Sequence, residues 1–493
     1  MAARARLSDR TLGQARGAAL PAYDRAQAQA GVVHLGVGAF HRAHQAVYLD
    51  QCLAAGDLRW GAVGASLRSP DTRDALAPQD GLYTLAVQGP EGERLQVVGA
   101  IKSLLVAPED PAALLARMAD PAVRIVTLTV TEKAYGRDAD GNLDLARPDI
   151  AWDLANPEAP RSVHGFLAGA LDARRRAGAP PFAVLCCDNL PANGETVRRL
   201  VLQFAGATDG DLACHIERDV AFPSTMVDRI VPATTDEDRA RISAALGLED
   251  AWPVKTEPFM QWVVEENFPQ GRPDWEPFGV TVAKSVRPFE EMKLRLLNGA
   301  HSGLSYLGLL LGRESVSDAF ADQRLRGFVE GLWAEAIPTL PRDAGLDPHD
   351  YKKALGQRFA NTALVHRTAQ IANDGSQKLP QRIVAAARAR MEAGGDTTHM
   401  ALVLAAWTAA CEARGKTLPA GHFSDPLDGR LEAIFATGEA AGETVQAVFE
   451  AVGFSALAGP AAARLAALAA SHLETIRRHG AAAAIDAAKG GEA

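Results

Sequence analysis

The sequence HLGVGAFHRAH, residues 34–44, decides the fold class, because a short apolar strand pattern leads into its glycines and a helical pattern follows at residues 42–54. Gly36 and Gly38 let the backbone turn tightly and approach a pyrophosphate, which would lie at the positive end of the next helix. A dinucleotide fingerprint has a third glycine where His41 stands. Taken alone, the loop therefore predicts either a nucleotide site or a plain turn.

Strand and helix patterns alternate through the first half of the chain. Apolar strand patterns occupy residues 60–67, 95–101, 123–130 and 182–187, and alanine-rich helical patterns occupy residues 111–118 and 163–177. This alternation predicts a mostly parallel sheet with helices on both faces. Beyond about residue 286 nearly every segment is rich in alanine and leucine. We predict an α/β, doubly wound NAD-binding domain of the Rossmann type at residues 1–285 and a mainly helical substrate and catalytic domain at residues 286–493.

Composition and charge exclude several classes of protein. The 493 residues exceed what one core usually organises. A net charge of −9 without a dense basic cluster argues against a nucleic-acid partner. The five scattered cysteines lack Cys-x-x-Cys spacing, so we expect neither a disulfide framework nor a zinc site. We expect a cytoplasmic protein without a membrane partner, since we identify no signal segment and no membrane-length apolar run.

An acidic residue after the second strand would select the cofactor. Asp71 stands there, and its carboxylate would bind the ribose hydroxyls and repel a 2′-phosphate, which favours NAD. Arg68 could instead favour NADP. Asp71 could also simply cap a helix or a turn.

The segment PFEEMKLRLLNGAHS, residues 288–302, carries the most chemistry. On an α-helix, Lys293, Asn298 and His301 would span an arc of about 140°. A desolvated lysine can act as a base near neutral pH, an amide can donate to a developing alkoxide, and an imidazole can orient a hydroxyl. The alternative is an ordinary helix with an exposed lysine and a histidine satisfied in the core.

A second amide donor follows the strand pattern at residues 182–187. Asn189 and Asn193 lie in a polar turn at the carboxyl edge of the predicted sheet, where ligands of such folds bind. Either side chain could donate to a substrate oxygen. Asn-Gly is also a strong turn signal, so turn chemistry alone could explain both residues.

Taken together, these segments resemble the mannitol dehydrogenase family, the polyol-specific long-chain dehydrogenases. The resemblance extends from Gly31 to about Gly480 and rests on the ordered motifs HLGVGAFHRAHQAVYLD, LTVTEKAY, CCDNLPANG, FPSTMVDRIVP, EPFMQWVVEENFPQGRPDW, MKLRLLNGAHS and RFANTALVHRTAQIANDGSQKLPQR. The pattern Gly-x-Gly-x-Phe-His-Arg is usual in this family, so His41 fits a cofactor loop. Within the family, Gln370 stands where the mannitol 2-dehydrogenase branch tends to carry an arginine, and the chain looks most like the fructuronate reductase branch.

The resemblance implies a metal-independent, NAD-dependent oxidoreductase. Lys293 would be the catalytic acid and base, Asn189 and Asn298 would form the oxyanion hole, and His301 would position the substrate. The remaining implied residues are Asp228, Lys378, His366 and Arg367 toward the substrate, Gly36, Val37, Gly38, Phe40, Asp71 and Glu132 toward the cofactor, and Glu290, with Glu132, as a supporting or proton-path carboxylate.

The activity that the resemblance favours is the reversible reduction of D-fructuronate to D-mannonate. Two alternatives stay open: mannitol 2-dehydrogenase or another polyol dehydrogenase, and a catalytically inactive NAD-binding regulator. A zinc-dependent alcohol dehydrogenase fits poorly because the sequence lacks zinc-ligand spacing. We expect a sugar acid or a polyol as the small-molecule partner, and a monomer.

Overall fold

The computed structural model describes residues 4–138, 140–342 and 345–489. The chain divides into two compact units, Met1–Arg287 and Pro288–Ala493. The first unit contains a parallel sheet with helices, and the second is mainly helical, which confirms the predicted fold class.

The strands all lie in the first unit as far as the described residues show. They are β1 (Ala18–Ala19), β2 (Ala30–Leu35), β3 (Gly61–Ser66), β4 (Tyr83–Gly89), β5 (Gly92–Val98), β6 (Ile101–Val106), β7 (Ile125–Leu128), β8 (Ala183–Cys186), β9 (Thr225–Asp228), β10 (Val254–Thr256), β11 (Gln261–Glu265) and β12 (Thr281–Ala283). The helices of this unit are α1 (Ala39–Ala43), α2 (Gln45–Ala54), α3 (Asp71–Leu76), α4 (Pro111–Ala119), α5 (Pro148–Ala155), α6 (Val163–Arg176), α7 (Asn193–Thr208), α8 (Gly210–Asp219) and α9 (Asp236–Leu246).

The central sheet has five parallel strands in the order β6-β3-β2-β7-β8. Numbered within this sheet alone, the order is 3-2-1-4-5, so the strand order reverses beside β2. Ligands of open parallel sheets bind outside the carboxyl ends of the strands at such a reversal. The topology therefore predicts a ligand site at the loops that follow β2, β3, β7 and β8.

Both faces of the central sheet are buried. Val33 and Leu35 of β2 belong to one apolar core together with residues of α4, α6 and α7. Val32, one position along, belongs to a second core with α2 and three tryptophans. Because successive side chains of a strand point to opposite faces, an apolar run without polar alternation becomes a strand covered on both sides.

Two smaller sheets differ from the predicted elements. The apolar segment predicted at residues 95–101 is divided between two strands, because β5 ends at Val98 and β6 begins at Ile101. β4 and β5 form an antiparallel hairpin in a sheet of order β1-β5-β4-β10. The third sheet, β12-β11-β9, pairs β11 antiparallel to β9 and parallel to β12.

The second unit consists of helices in its described part. They are α10 (Arg287–Met292), α11 (Gly299–Leu310), α12 (Val316–Ala321), α13 (Gln323–Ala336), α14 (Pro348–Phe359), α15 (Thr368–Ala372), α16 (Gly375–Leu379), α17 (Ala385–Glu392), α18 (Thr398–Ala413), α19 (Asp428–Ala436), α20 (Ala441–Val452), α21 (Phe454–Ala458) and α22 (Ala462–Lys489). Two π-helical segments, Lys293–Asn298 and Pro380–Val384, connect α10 to α11 and α16 to α17. α11 packs against α18, and α18 packs against α22.

One stretch, Phe454–Lys489, is long and apolar enough to cross a membrane by length and composition, contrary to the sequence expectation. It is not a single continuous helix, because the backbone leaves helical geometry at Gly459 and again at Gly480. Leu465 and Leu473 of α22 are buried inside the protein. The core helices of soluble proteins pass the same test, so a single such stretch is a weak indication of a membrane span.

Candidate active site

In the loop after β2, steric contacts require glycine at only one of the two glycine positions. Gly36 has φ of +93°, and a Cβ atom there would lie 2.1 Å from the carbonyl oxygen of Thr129 at the end of β7. Any side chain would force the two central strands apart. Gly38 has φ of −94°, and a Cβ atom there would come no closer than 3.9 Å to another atom. Steric contacts within the chain therefore do not explain Gly38.

Gly38 precedes α1, which turns the loop back over the sheet. The first backbone N–H groups of a helix have no acceptor within the helix and can bind a ligand oxygen.

Val37, between the glycines, is buried against Gly64 of β3, where an added Cβ atom would lie 2.4 Å from the Cγ2 atom of Val37. The side chain of Val37 thus fixes the loop to the sheet, and only its backbone can face a ligand. Phe40 stacks on His44 with ring centroids 5.0 Å apart.

His41 stands where a dinucleotide fingerprint has its third glycine, and its ring stacks on a residue of β2. Its ring lies parallel to that of His34, with centroids 3.4 Å apart. His34 Nδ1 lies 2.7 Å from Thr127 Oγ1, and its Nε2 lies 2.8 Å from Thr129 Oγ1. Burial lowers the pKa of His34 to about 3 and the pKa of His41 well below its usual value. Two stacked, neutral imidazoles therefore connect α1 to β2.

The loop after β3 carries the predicted cofactor-selecting residues. Asp71 is exposed and is the first residue of α3, and Ser69 Oγ donates to its Oδ2 at 2.9 Å. Arg68 is also exposed. Asp71 therefore begins a helix at the carboxyl edge of the sheet and keeps its carboxylate accessible.

The ends of β7 and β8 are joined by Asp188, a residue that sequence reasoning missed. Its carboxylate accepts hydrogen bonds from the backbone N–H groups of Val130 and Thr131 at 2.9 and 3.1 Å and from the Tyr135 hydroxyl at 2.6 Å. Thr131 has φ of +74°, a strained conformation for a β-branched residue. Asp188 therefore holds a strained turn at the carboxyl edge. Glu132 follows that turn, is exposed, and forms an ion pair with Arg137.

The two asparagines after β8 have different surroundings. Asn193 is buried, and its amide donates to the carbonyl oxygens of Asp188 and Thr225 at 3.1 and 2.9 Å and accepts from the Thr225 N–H at 2.9 Å. Those bonds join β8, α7 and β9, so the role of Asn193 is structural. Asn189 is exposed at the carboxyl edge.

β9 places another predicted residue, Asp228, at its last position, where it is buried. The neighbouring Arg229 is also buried, and its guanidinium donates to the carbonyl oxygens of Ala43 and Glu257. These bonds tie β9 to the end of α1. Burial lowers the pKa of Arg229 to about 10.

In the second unit, the predicted catalytic helix is not a regular α-helix. Lys293 and Asn298 are the first and last residues of a π-helical segment, with α-helix on either side. The 140° arc expected for Lys293, Asn298 and His301 is therefore wrong, because it assumed 3.6 residues per turn throughout. Lys293 is buried, Asn298 is half-buried, and Glu290 is half-buried on α10. π-Helical segments within α-helices occur frequently at functional sites.

His301 lies in a group of aromatic and cationic side chains. Its ring centroid is 5.1 Å from that of His366 and 5.0 Å from that of Phe359. Burial lowers the pKa of His301 well below its usual value, and the charges of His366, Arg358, Arg382 and Lys293 lower it further. Burial, assisted by Arg358, lowers the pKa of His366 to about 4. Both imidazoles are therefore neutral at neutral pH and can each donate and accept one hydrogen bond.

The cations around His301 include two that sequence reasoning missed, Arg358 and Arg382. Arg358 is buried on α14, and Arg382 belongs to the second π-helical segment. Burial first, and then the charge of Arg382, lower the pKa of Lys378, whose Nζ donates to the Asn373 carbonyl oxygen at 2.7 Å. Arg367, by contrast, is exposed immediately before α15. We call Lys293, Arg358, Lys378 and Arg382 the cationic cluster.

Within the described residues, no group of three or more His, Cys, Asp or Glu side chains is placed to hold a metal ion. Around His301 the second unit brings together cations and neutral imidazoles, and the Asp374 carboxylate lies 3.6 Å from Lys378 Nζ. Such a set can bind an anion, orient hydroxyl groups and transfer a proton.

Comparison with known proteins identifies the family. Residues 30–277 match the mannitol dehydrogenase Rossmann domain, and residues 285–476 match the mannitol dehydrogenase C-terminal domain. The chain belongs to the mannitol dehydrogenase family. It is therefore an oxidoreductase of a family that acts on alcohol groups.

Relatives in the mannitol dehydrogenase family are similar over most of their length. D-mannonate oxidoreductase of Escherichia coli (strain K12) is 45% identical over 395 residues, which are 79% of this chain and 81% of that protein. A crystal structure of D-sorbitol dehydrogenase in substrate-free form matches with a TM-score of 0.91 at 33% identity, over 97% of this chain and 100% of the other. The ternary complex of Pseudomonas fluorescens mannitol 2-dehydrogenase with NAD and D-mannitol matches with a TM-score of 0.82 at 36% identity, over 98% and 99%.

Proposed function

We propose that this member of the mannitol dehydrogenase family is an NAD(H)-dependent reductase that interconverts D-fructuronate and D-mannonate. The observation that carries the proposal is the cationic cluster around His301 in the second unit. Several cations held close together attract an anionic ligand, and a sugar acid supplies a negative charge. A neutral polyol does not. The 45% identity to D-mannonate oxidoreductase supports the same substrate class.

The loop after β2 supports a dinucleotide cofactor. Gly38 has open space at its Cβ position, where a pyrophosphate can approach the backbone, and α1 begins directly after it. Asp71 would bind the adenosine ribose, which favours NAD over NADP. Val37 would contribute its backbone, while Phe40 and Glu132 would line the cofactor. When bound, the nicotinamide supplies the hydride in the reduction and accepts it in the oxidation.

The residues of the chain would supply the proton and the electrostatic stabilisation. In the reduction, protonated Lys293 gives its proton to the carbonyl oxygen as that oxygen gains negative charge, and in the oxidation neutral Lys293 removes the proton. The amides of Asn189 and Asn298 donate hydrogen bonds to the same oxygen, which stabilises the charge that develops in the transition state. Neutral His301 orients the substrate, and Glu290 would help return protons to Lys293.

The other hydroxyl groups of the sugar would be held by further polar side chains. Asp228 can accept hydrogen bonds from them, and Lys378 can donate. His366, beside His301, and Arg367 are further proposed substrate residues. None of these roles requires a metal ion, so treatment with a chelator is expected to leave activity unchanged.

A polyol substrate is the second candidate, because a similar solved structure is a mannitol 2-dehydrogenase in complex with NAD and D-mannitol. A substrate panel separates the candidates. The purified protein is assayed with D-fructuronate, D-tagaturonate, D-fructose and D-mannitol, each with NAD(H) and with NADP(H). We expect the highest kcat/KM with D-fructuronate and NADH. A higher kcat/KM with D-fructose would overturn the uronate proposal, and no oxidoreductase activity with any of the four would favour an inactive NAD-binding regulator.

A further inference from the structure

Arg382 lies where the two π-helical segments meet. The residue after the first segment, Gly299, packs closely against the second, since a Cβ atom at Gly299 would lie 3.4 Å from the Arg382 carbonyl oxygen. Arg382 Nη1 donates to Ser302 Oγ at 3.2 Å. Ser302 is buried and follows His301 directly. The guanidinium of Arg382 is thus attached to the helical turn that carries His301.

The guanidinium of Arg382 has few polar partners in the part of the chain that the structure describes. Among the residues that the structure describes, Arg382 forms no ion pair, and its only bond to a side chain is the one to Ser302. Arg382 lies near Lys378 and His301, since its charge lowers the pKa of both, and the neighbouring carboxylate of Asp374 forms an ion pair with Lys378 at 3.6 Å rather than with Arg382. Burial lowers the pKa of Arg382 itself. An anion from outside the chain would offset the charge of Arg382, because a half-buried charge without an opposite charge is costly.

We infer that Arg382 binds the carboxylate of the sugar-acid substrate and selects it over the corresponding neutral sugar, an inference that rests on the proposed function. A guanidinium carries five N–H donors in a planar fork, and the bond to Ser302 uses one side of it. The remaining donors can bind both oxygens of a carboxylate, the geometry that arginine favours. This assigns carboxylate recognition to Arg382 rather than to Arg367, whose side chain is exposed.

A purely structural role would have a different effect. If Arg382 only positioned His301 through Ser302, its loss would impair every substrate equally, because His301 would be displaced for all of them. If Arg382 binds the carboxylate, its loss would impair only substrates that carry one. D-fructuronate and D-fructose make this comparison possible, since D-fructose has a hydroxymethyl group in place of the carboxylate.

The test measures kcat/KM of the full chain for both sugars with saturating NADH. Arg382→Gln is expected to lower kcat/KM for D-fructuronate about 10- to 100-fold, the loss typical of a charge-assisted hydrogen bond, and to change kcat/KM for D-fructose less than about threefold. Arg382→Lys, which keeps the charge but not the fork, is expected to lie between. Arg388→Gln is the matched control, an exposed arginine of α17 paired with Glu392. Where turnover of D-fructose is too slow, the dissociation constants of D-mannonate and D-mannitol replace the kinetic comparison.

Equal losses for both sugars in Arg382→Gln would overturn the assignment and leave the proposed function standing. A wild-type protein that prefers D-fructose would overturn the proposed function itself. Loss of D-fructuronate selectivity in Arg367→Gln but not in Arg382→Gln would move carboxylate recognition to Arg367. Should Arg382→Gln fail to fold, as judged by circular dichroism and NADH affinity, Arg382→Lys decides the matter through the same ratio between the two sugars.

Discussion

Replacing Gly36 by alanine is expected to destabilise the first unit, whereas the same change at Gly38 is expected to weaken the cofactor site. Alanine at φ of +93° costs about 1–2 kcal/mol. Its Cβ atom would also lie 2.1 Å from the Thr129 carbonyl oxygen, and relieving such an overlap in a packed interior costs about 1–3 kcal/mol. Together these amount to about 3 kcal/mol, or a melting temperature lower by about 5–10 °C.

Gly38→Ala provides the contrast within the same loop. Its φ of −94° suits alanine, and the added methyl group would meet no atom closer than 3.9 Å. The stability change should therefore stay within about 1 kcal/mol, the usual cost of alanine at the start of a helix. The methyl group would occupy the space proposed for the pyrophosphate, so we expect NADH to bind about tenfold more weakly.

Thermal unfolding followed by circular dichroism, together with fluorescence titration of NADH, measures both effects. A melting temperature of Gly36→Ala within about 2 °C of wild type would refute the steric reasoning about the β2–β7 contact. Unchanged NADH affinity in Gly38→Ala would refute the assignment of this loop to the cofactor. The two results are independent, since one reports on packing and the other on ligand space.

Three further predictions concern the remaining site residues. Lys293→Ala should lower turnover about 10²- to 10⁴-fold while NADH affinity stays within about twofold, and near-normal turnover would contradict its role as acid and base. Asn193→Ala should lower the free energy of unfolding by about 2–4 kcal/mol, because it breaks hydrogen bonds among β8, α7 and β9. Asn189→Ala should instead affect turnover more than the melting temperature, so the reverse pattern would exchange the two assignments. Because burial lowers the pKa of His366 to about 4, only the unfolded chain takes up this proton between about pH 6.5 and 4, and stability should fall as the pH falls through that range. Urea unfolding at pH 7 and at pH 4.5 gives the free energy of unfolding at each pH. The decrease between the two values should be smaller in His366→Asn than in wild type by up to about 3 kcal/mol, and equal decreases would argue against a buried neutral imidazole.

Much of the fold follows from local patterns in the sequence. Continuous apolar runs such as that of β2 can be satisfied only by a strand buried on both faces, and the alternation of such runs with helices requires parallel pairing. The hairpin of β4 and β5 was not predicted, although its pairing is local and Gly89 and Gly92 enclose the two-residue turn that joins the strands. The break at His44 between α1 and α2 also lies within an uninterrupted helical pattern.

The candidate site could be predicted only in part. Motif spacing predicted Lys293 and His301 as site residues, but a π-helical segment has the same residue types as an α-helix and leaves no periodic pattern of its own. Arg358 and Arg382 come from separate helices, and no local pattern indicates that their charges meet near His301. By position alone Asn189 and Asn193 were equivalent candidates, the family resemblance implied Asn189, and the structure adds that Asn193 is buried and hydrogen-bonded to Asp188 and Thr225. Residues that act through tertiary neighbours thus need the folded structure to be recognised.

The π-helical segment Lys293–Asn298 also bears on how this part of the chain can vary in evolution. A segment with i→i+5 bonding accommodates one residue more than an α-helix of similar span, so it is equivalent to a single inserted residue. Deleting one residue there would restore a regular helix with better hydrogen bonds, and because the wide turn absorbs the extra residue locally, the flanking helices would keep nearly the same phase. Lys293 and His301 would therefore stay on similar sides of the helix, and only the residues between them would change their facing. We expect a homologue with a gap at this position to keep the relative placement of Lys293 and His301 and to differ in the placement of the residues inside the segment.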